Sequence, residues 1–202
     1  PDCGLTALRA VADLNTDRDF NSTIFGHEWN WLGNYTTGDY SLTERPGYLR
    51  LNGSEKKIDE QGSPTFIGRR QQHFDFTATT EVETSGQTAA GITAYMCPTA
   101  HYDLYVADGK LHLRYRIGML LHEEEICAVP DGRIYLRISG HKYFYTLSYS
   151  TDGTTFTKAG RMNLRYLSSE TNGGFTGVYI ALFAEGHGTA DFDFFDYQTP
   201  GS

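Results

Sequence analysis

The chain has 202 residues, a formal net charge of −8 and an aromatic content of 14%. This length fits one domain with a sizeable core. The acidic balance disfavours a nucleic-acid partner, because binding to phosphates requires clustered Lys and Arg side chains. No stretch approaches the roughly 18 consecutive apolar residues of a membrane span, and the amino end lacks the layout of a signal peptide. We therefore expect neither a nucleic-acid partner nor a membrane partner.

The cysteines and the first residue bear on cellular context. Cys3, Cys97 and Cys127 form neither a disulfide framework nor a metal-binding spacing. Their odd number favours reduced thiols in a bacterial cytoplasm over secretion, with a single Cys97–Cys127 bridge as the alternative. Pro1 in place of Met indicates a processed product or a piece of a longer polypeptide. We interpret residues 1–19 as a linker or extension, residues 20–198 as one module and residues 199–202 as a tail.

From Trp29 onward the sequence is organised as short runs of alternating apolar and polar residues, the pattern of half-buried strands. Turn residues that tolerate a positive φ separate several of these runs, at positions 107–109, 130–132 and 152–153. About a dozen short strands cannot remain one open sheet. The sequence therefore predicts an all-β jelly-roll sandwich of two antiparallel sheets.

Several strands have a predictable core face. Ile134, Leu136 and Ile138 alternate with polar residues, as in a strand that is buried on one side. A row of tyrosines fits either a sugar-binding face or the core, and the core is favoured because Leu147 shares its face: Tyr143, Tyr145 and Tyr149. In the last strand, Phe192 and Phe194 are expected to fill the core and to leave Asp191 and Asp193 on the polar side.

Four segments resemble one known family. They are residues 20–32 (FNSTIFGHEWNWL), 41–51 (SLTERPGYLRL), 63–76 (SPTFIGRRQQHFDF) and 168–197, which contains the sequence GGFTGVYIALFAEG. Together they resemble the C-terminal β-sandwich module of glycoside hydrolase family 43 β-xylosidases and arabinofuranosidases. The resemblance implies a concanavalin A-like sandwich. It also implies that the catalytic acids lie on a separate five-bladed propeller, so no catalytic residue is carried over to this chain.

The resemblance further implies two contact regions with that propeller. In the family, a loop of the sandwich carries an aromatic residue to the rim of the catalytic pocket, and Phe175 occupies the matching position here. The alternative is that Phe175 begins a buried strand. The run at residues 68–73 matches the family closely, and we place Arg69, Arg70 and Gln72 at the interdomain face.

Sugar binding by a sandwich requires aromatic rings that stack on sugars and polar groups that bind hydroxyls. One predicted strand carries His112, Arg114 and Arg116 opposite its apolar face, and another carries Tyr135 and Arg137. If these strands are neighbours, the five side chains form one carbohydrate-binding surface. Ordinary cross-strand polar pairing is the alternative. Trp29 and Trp31 are further candidates for sugar binding, with a structural role as their alternative.

Paired acidic residues allow two other interpretations. Asp191 and Asp193 could hold a structural calcium ion, since paired carboxylates suit hard cations. The spacing of Glu123 and Glu125 fits a glycosidase pair, but the Glu-x-Asp-x-x-Glu pattern of some glycosidases with this fold is absent from the sequence. A solvated strand edge guarded by charge is the favoured interpretation of that second pair. No organic cofactor is implied.

Three functions are compatible with the sequence. The first is a non-catalytic carbohydrate-binding module for xylan or a related β-linked glycan, within a hemicellulose-degrading enzyme. The second is a structural domain that packs on a family 43 propeller and completes its substrate pocket without binding sugar by itself. The third, a self-sufficient glycosidase, is disfavoured by the missing motif.

Overall fold

The computed structural model describes residues 20–21, 29–168 and 177–200. Within them the chain forms fourteen strands and one short 3-10 helix. In chain order these are β1 Trp29–Trp31, β2 Tyr40–Ser41, β3 Leu49–Asn52, β4 Thr65–Arg70, β5 Phe76–Ser85, β6 Thr88–Cys97, β7 Ala100–Ala107, β8 Lys110–Ile117, β9 Leu120–Ala128, β10 Arg133–His141, β11 Phe144–Ser150, β12 Thr157–Asn163, the helix Leu164–Leu167, β13 Tyr179–Gly186 and β14 Thr189–Gln198.

The strands form two antiparallel sheets of seven, which confirms the predicted all-β sandwich. Sheet A has the order β1-β4-β13-β6-β7-β8-β9, and sheet B has the order β12-β11-β10-β5-β14-β3-β2. The main core lies between them, because the alternate residues of each strand that face inward are apolar. Ile134, Leu136 and Ile138 are fully buried there, as their spacing predicts.

The turns that connect neighbouring strands use the predicted residues. Asp108 and Gly109 join β7 to β8 with φ angles of 52° and 70°, and Gly132 before β10 has a φ of 68°. Positive φ at these positions suits tight hairpins, in which the strands must twist in the right-handed sense.

The last strand corrects one prediction. Phe192 faces the core, but a register shift between Phe192 and Phe195 puts one extra residue in β14 relative to β5. This bulge brings Phe195 into the core, and Phe194 is only half-buried beside Tyr135. A strictly alternating pattern could not reveal this change of face.

The outer face of sheet A carries a second apolar cluster beneath residues 53–64. Ile58 is fully buried against Phe66, Tyr95, Tyr105 and Phe183. The Ile58 amide donates to Glu185 Oε1 at 3.0 Å, and its carbonyl accepts from the Tyr95 hydroxyl at 3.1 Å. Both backbone groups are therefore satisfied although they are buried.

The two ends of the sandwich differ in the direction of the strands. Strands β4, β6, β8, β10, β12 and β14 all finish at one end, and β1 begins there because Trp29 pairs with Arg69. We call it the apolar end, for reasons given below. The connections after β5, β7, β9, β11 and β13 lie at the opposite end, which we call the polar end.

Cys97 and Cys127 are free thiols, so the alternative bridge between them does not form. No helix in the described part of the chain is long and apolar enough to cross a membrane.

Candidate functional site

The predicted carbohydrate-binding residues do not form one surface. Strand β8 belongs to sheet A and β10 to sheet B. The side chains of His112, Arg114 and Arg116 therefore lie on one outer face of the sandwich, whereas Tyr135 and Arg137 lie on the opposite one. The assumption that the two strands are neighbours was wrong, because sheet membership depends on pairing between distant segments.

The two tryptophans are part of the core. Trp29 is 3% exposed and packs edge-on against Phe195 at 5.0 Å between ring centroids. Trp31 is 1% exposed and stacks on Tyr35 at 4.7 Å. Neither ring has an open face for a sugar, so the structural alternative holds for both residues.

On sheet B, the two predicted residues have partners within the chain. The hydrogen bond of Tyr135 to Glu81 raises the pKa of the tyrosine. Arg137 Nε donates to Thr79 Oγ1 at 2.9 Å, and its guanidinium lies 3.5 Å from the ring centroid of Phe156. Tyr135 and Arg137 therefore form ordinary cross-strand polar pairs, which is the alternative to sugar binding.

On sheet A, Arg114 is the centre of a buried ionic cluster rather than a surface ligand. Its Nε lies 2.5 Å from Asp103 Oδ2, and its Nη2 lies 3.4 Å from Glu185 Oε1. His101 Nδ1 approaches Asp103 at 2.8 Å. Burial alone would raise the pKa of Asp103, but His101 and Arg114 outweigh it and hold the value at about 2. Burial raises the pKa of Glu185. Arg116, further along the same face, is half-buried.

A groove remains open on the same face, between residues 53–64 and the edge strand β9. Its volume is about 790 Å³, and its lining includes Lys57, Tyr105, His112, Arg114, Glu123 and Glu185. The His112 ring stacks on Tyr105 at 5.2 Å between centroids. Glu123 accepts a hydrogen bond from the Tyr105 hydroxyl, and Glu125 pairs with Lys110 at 2.9 Å. Strand β9 is the exposed edge of sheet A, as the charge-guarded interpretation of Glu123 and Glu125 requires.

The suggested calcium site is contradicted for Asp191. Arg45 Nη1 and Arg50 Nη2 both donate to Asp191 Oδ2 at 2.9 Å, and Arg50 Nε donates to Oδ1 at 2.7 Å. Two guanidiniums occupy the position that a cation would take, and they hold the pKa of Asp191 below its ordinary value although burial opposes them. Asp193 lies at the bulge in β14. The described ranges contain no group of three or more His, Cys, Asp or Glu side chains that could bind a metal.

The predicted interdomain residues lie at the apolar end, where β4 finishes. Arg70 and Gln72 are exposed, and Arg70 packs beside Gly177. Arg69 is half-buried, with its guanidinium 5.4 Å from the ring centroid of Tyr197. Phe175 lies outside the described residues, but Gly177 and Val178, which follow it, are at this same end.

Every exposed large apolar side chain within the described residues also lies at this end. Phe74 follows β4, Met119 forms the turn after β8 and Tyr143 forms the turn after β10; they are 74%, 96% and 70% exposed. The others are Leu120, Leu121 and Tyr166. Such a concentration on one surface is typical of an interaction site. Tyr143 was assigned to the core, and this was wrong because it occupies a turn next to Lys142, whose φ is 54°.

Sequence reasoning missed this surface, although its members carry a local signal. Phe74 lies between His73 and Asp75, and Met119 follows Gly118 directly after a strand. Large apolar residues in turns are unusual, because turns face water. Only the topology shows that these separate turns meet at one end.

The chain matches the family model for the beta xylosidase C-terminal concanavalin A-like domain over residues 17–198. It is 31% identical over 193 residues to the non-reducing end alpha-L-arabinofuranosidase BoGH43B of Bacteroides ovatus. It is 34% identical over 180 residues to a putative beta-xylosidase of Escherichia coli K12. These alignments cover 89% and 78% of this chain but only 36% and 33% of the relatives, so the chain spans about a third of their length.

Solved structures show the same relationship. The Bacteroides ovatus xyloglucan PUL GH43B superposes with a TM-score of 0.80 at 30% identity, over 93% of this chain and 40% of that one. The xylan beta-1,4-xylosidase from Bacillus halodurans superposes with a TM-score of 0.82 at 25% identity and the same coverage. The chain therefore belongs to the beta xylosidase C-terminal concanavalin A-like domain family, the C-terminal module of glycoside hydrolase family 43 xylosidases and arabinofuranosidases.

Proposed function

We propose that this chain is the accessory module of a family 43 glycosidase, and that its apolar end packs on the catalytic domain and completes the substrate pocket. The observation that carries this proposal is the concentration of exposed apolar side chains at one end. Covering a surface of this kind is favourable by about 25 cal/mol per Å² of apolar area removed from water. The relatives have the additional length that a catalytic domain needs, since the chain covers 36% of the Bacteroides ovatus enzyme.

The position of the predicted contacts supports the same arrangement. Arg70, Gln72 and the residues that follow Phe175 all lie at the apolar end. Their guanidinium and amide groups share this end with the exposed apolar side chains, and protein interfaces combine polar and apolar groups in this way. The parent enzyme would act on arabinose- or xylose-containing glycans, as the names of its relatives indicate.

The chain by itself is proposed to have no hydrolytic activity. Glycosidases use two carboxyl groups on either side of the bond that breaks. Of the pair with suitable sequence spacing, Glu123 is bonded to Tyr105 and Glu125 to Lys110, on an exposed edge strand. We expect no release of nitrophenol from aryl xylosides or aryl arabinofuranosides, and unchanged background rates with Glu123→Gln and Glu125→Gln.

A chimeric enzyme tests the docking proposal. This chain would replace the matching C-terminal region of the Bacteroides ovatus arabinofuranosidase. We expect the chimera to be at least tenfold more active on an aryl arabinofuranoside than the same enzyme without a C-terminal module. A chimera no better than the truncated enzyme, although this chain is folded within it, would contradict the proposal.

Glycan binding by the module itself is a second candidate, and the groove beside His112 favours it. The groove combines an aromatic pair with fixed carboxylates, which are groups that bind sugar hydroxyls. Titration calorimetry with xylohexaose checks this candidate. We expect His112→Ala to weaken binding at least fivefold and Arg137→Ala, on the opposite outer face, to leave it unchanged. The absence of heat with xylohexaose and arabinoxylan oligosaccharides would exclude it.

A further inference from the structure

An apolar pocket opens at the apolar end, between the 3-10 helix, the start of β13 and the connection that follows β4. Its volume is about 390 Å³. We call it the socket, and its principal lining residues are Gln71, Phe74, Met96, Leu164, Leu167 and Val178. Unlike the groove on sheet A, it has no Asp, Glu, Lys or Arg among the lining residues that the structure describes.

Hydrogen bonds within the chain fix the walls of the socket. The Gln71 amide donates to the Val178 carbonyl at 2.9 Å, and the Leu164 amide donates to the Tyr143 carbonyl at 2.8 Å. The Tyr145 hydroxyl, fully buried at the base, donates to Gln71 Oε1. These described parts of the wall are therefore held in place by the chain itself, and fixed walls reduce the conformational entropy that is lost on binding.

The chemistry of the lining identifies the kind of group that fits. Both ends of the Gln71 side-chain amide are occupied, because Nε2 donates to the His73 carbonyl at 2.9 Å. Apolar side-chain atoms of Phe74, Leu164 and Val178 remain available. The polar lining residues Gln72 and His73 are exposed to solvent. A sugar placed against the apolar lining would leave hydroxyls without partners there, whereas a hydrocarbon group would not.

We propose that the socket receives one aromatic or branched aliphatic side chain of the catalytic domain. This inference rests on the proposed docking function and specifies its anchor. The relatives are longer than this chain, and their additional length provides the domain from which this side chain would come. The socket lies at the same end as the exposed side chains of Phe74, Tyr143 and Tyr166. A buried anchor in a pocket that is surrounded by weaker apolar contacts is the usual arrangement of an interface hot spot.

Small analogues of side chains test the socket on this chain alone. The probes are p-cresol, toluene and xylose, and the readout is the ¹³C-methyl NMR signals of Met96, Leu164 and Val178. We expect saturable shifts with p-cresol and toluene and none with xylose. Val178→Trp should fill the socket and weaken the binding of p-cresol at least tenfold. The absence of saturable shifts, or equal binding to Val178→Trp, would overturn the inference.

The chimeric enzyme separates failure of the socket from failure of the docking function. We expect Val178→Trp in the chimera to reduce activity at least tenfold, and Leu164→Trp, at a second lining residue, to do the same. Thr155→Trp adds the same side chain at the polar end and should have no effect. Melting temperatures measured on each variant chain alone identify any variant that fails to fold. An unmodified chimera without activity contradicts docking, whereas full activity in both socket variants overturns the socket alone.

Discussion

The apolar end exposes apolar side chains, whereas the ionic cluster on sheet A buries charged ones. Both are unusual, but only the charged side chains of the cluster have their partners within the chain. The cluster buries Asp103, Arg114 and Glu185, and each charged group lies within 3.4 Å of an opposite charge. The apolar end instead leaves Phe74, Met119 and Tyr143 largely exposed to water. Buried charges that are paired stabilise one fold, whereas exposed apolar groups gain only when another surface covers them.

The largest effect is expected from the ionic cluster. Arg114→Met removes the guanidinium between Asp103 and Glu185, so that the buried Glu185 loses its counter-charge and Asp103 keeps His101 beside it. We expect the free energy of unfolding to fall by about 3–5 kcal/mol, measured by urea denaturation. Lys110→Met breaks the exposed pair with Glu125 and should cost less than about 1 kcal/mol. Similar losses for both variants would contradict the proposed difference between the two pairs.

Acid should weaken the same cluster. The pKa of Asp103 is about 2 in the folded chain, below its ordinary value of 3.8, so its contribution is present above pH 3.8 and lost as the pH falls through 2. The difference corresponds to about 2 kcal/mol. We expect Asp103→Asn to remove this part of the pH dependence in urea denaturation between these two values. Asp131→Asn, at an exposed turn, serves as the control, and an unchanged slope in Asp103→Asn would contradict the assignment.

A smaller effect is expected at the base of the socket. Tyr145→Phe removes the hydroxyl that donates to Gln71 and should lower the free energy of unfolding by about 1 kcal/mol. Hydrogen exchange at the backbone amide of Gln71 should become faster, because the Gln71 side chain is no longer held by Tyr145 and the backbone bond to the Val178 carbonyl opens more easily. Tyr143→Phe changes an exposed ring and should alter neither measurement. If exchange at Gln71 is unaffected, this hydroxyl does not fix the wall.

The smallest effect on stability is expected at the apolar end itself. Phe74→Ser and Tyr143→Ser should each change the free energy of unfolding of the isolated chain by less than about 0.5 kcal/mol, because both side chains are already exposed. In the chimeric enzyme the double variant that combines Phe74→Ser and Tyr143→Ser should reduce activity several-fold. A large loss of stability in the isolated chain would mean that these side chains belong to its own core.

The features that could be predicted from the sequence are those set by neighbouring residues. Alternation predicted the buried face of β10, and the Asp-Gly pair at residues 108–109 predicted the hairpin turn between β7 and β8. The separation of β8 and β10 into different sheets depends on the pairing of β10 with β5, whose partner residues lie 50 to 64 positions earlier. Local periodicity contains no information on such pairing.

The candidate site was predictable to a smaller extent. The resemblance to the family located Arg70 and Gln72 in the region that proves to be the apolar end, but the face of β8 was misinterpreted. The sequence pattern predicts an Arg114 side chain available to a sugar, and this is wrong because Asp103 and Glu185, on two other strands, bind it. Sequence spacing cannot associate those two residues with Arg114. The bulge that exchanges Phe194 for Phe195 was hidden for a similar reason, since it is defined by the register with β5.

The start of β1 at the apolar end affects the strength that docking requires. A catalytic domain joined to the chain ahead of Trp29 would be tethered beside the surface that it has to cover. Short flexible tethers give effective concentrations on the order of millimolar. An interface too weak to hold two separate proteins together would then remain occupied most of the time.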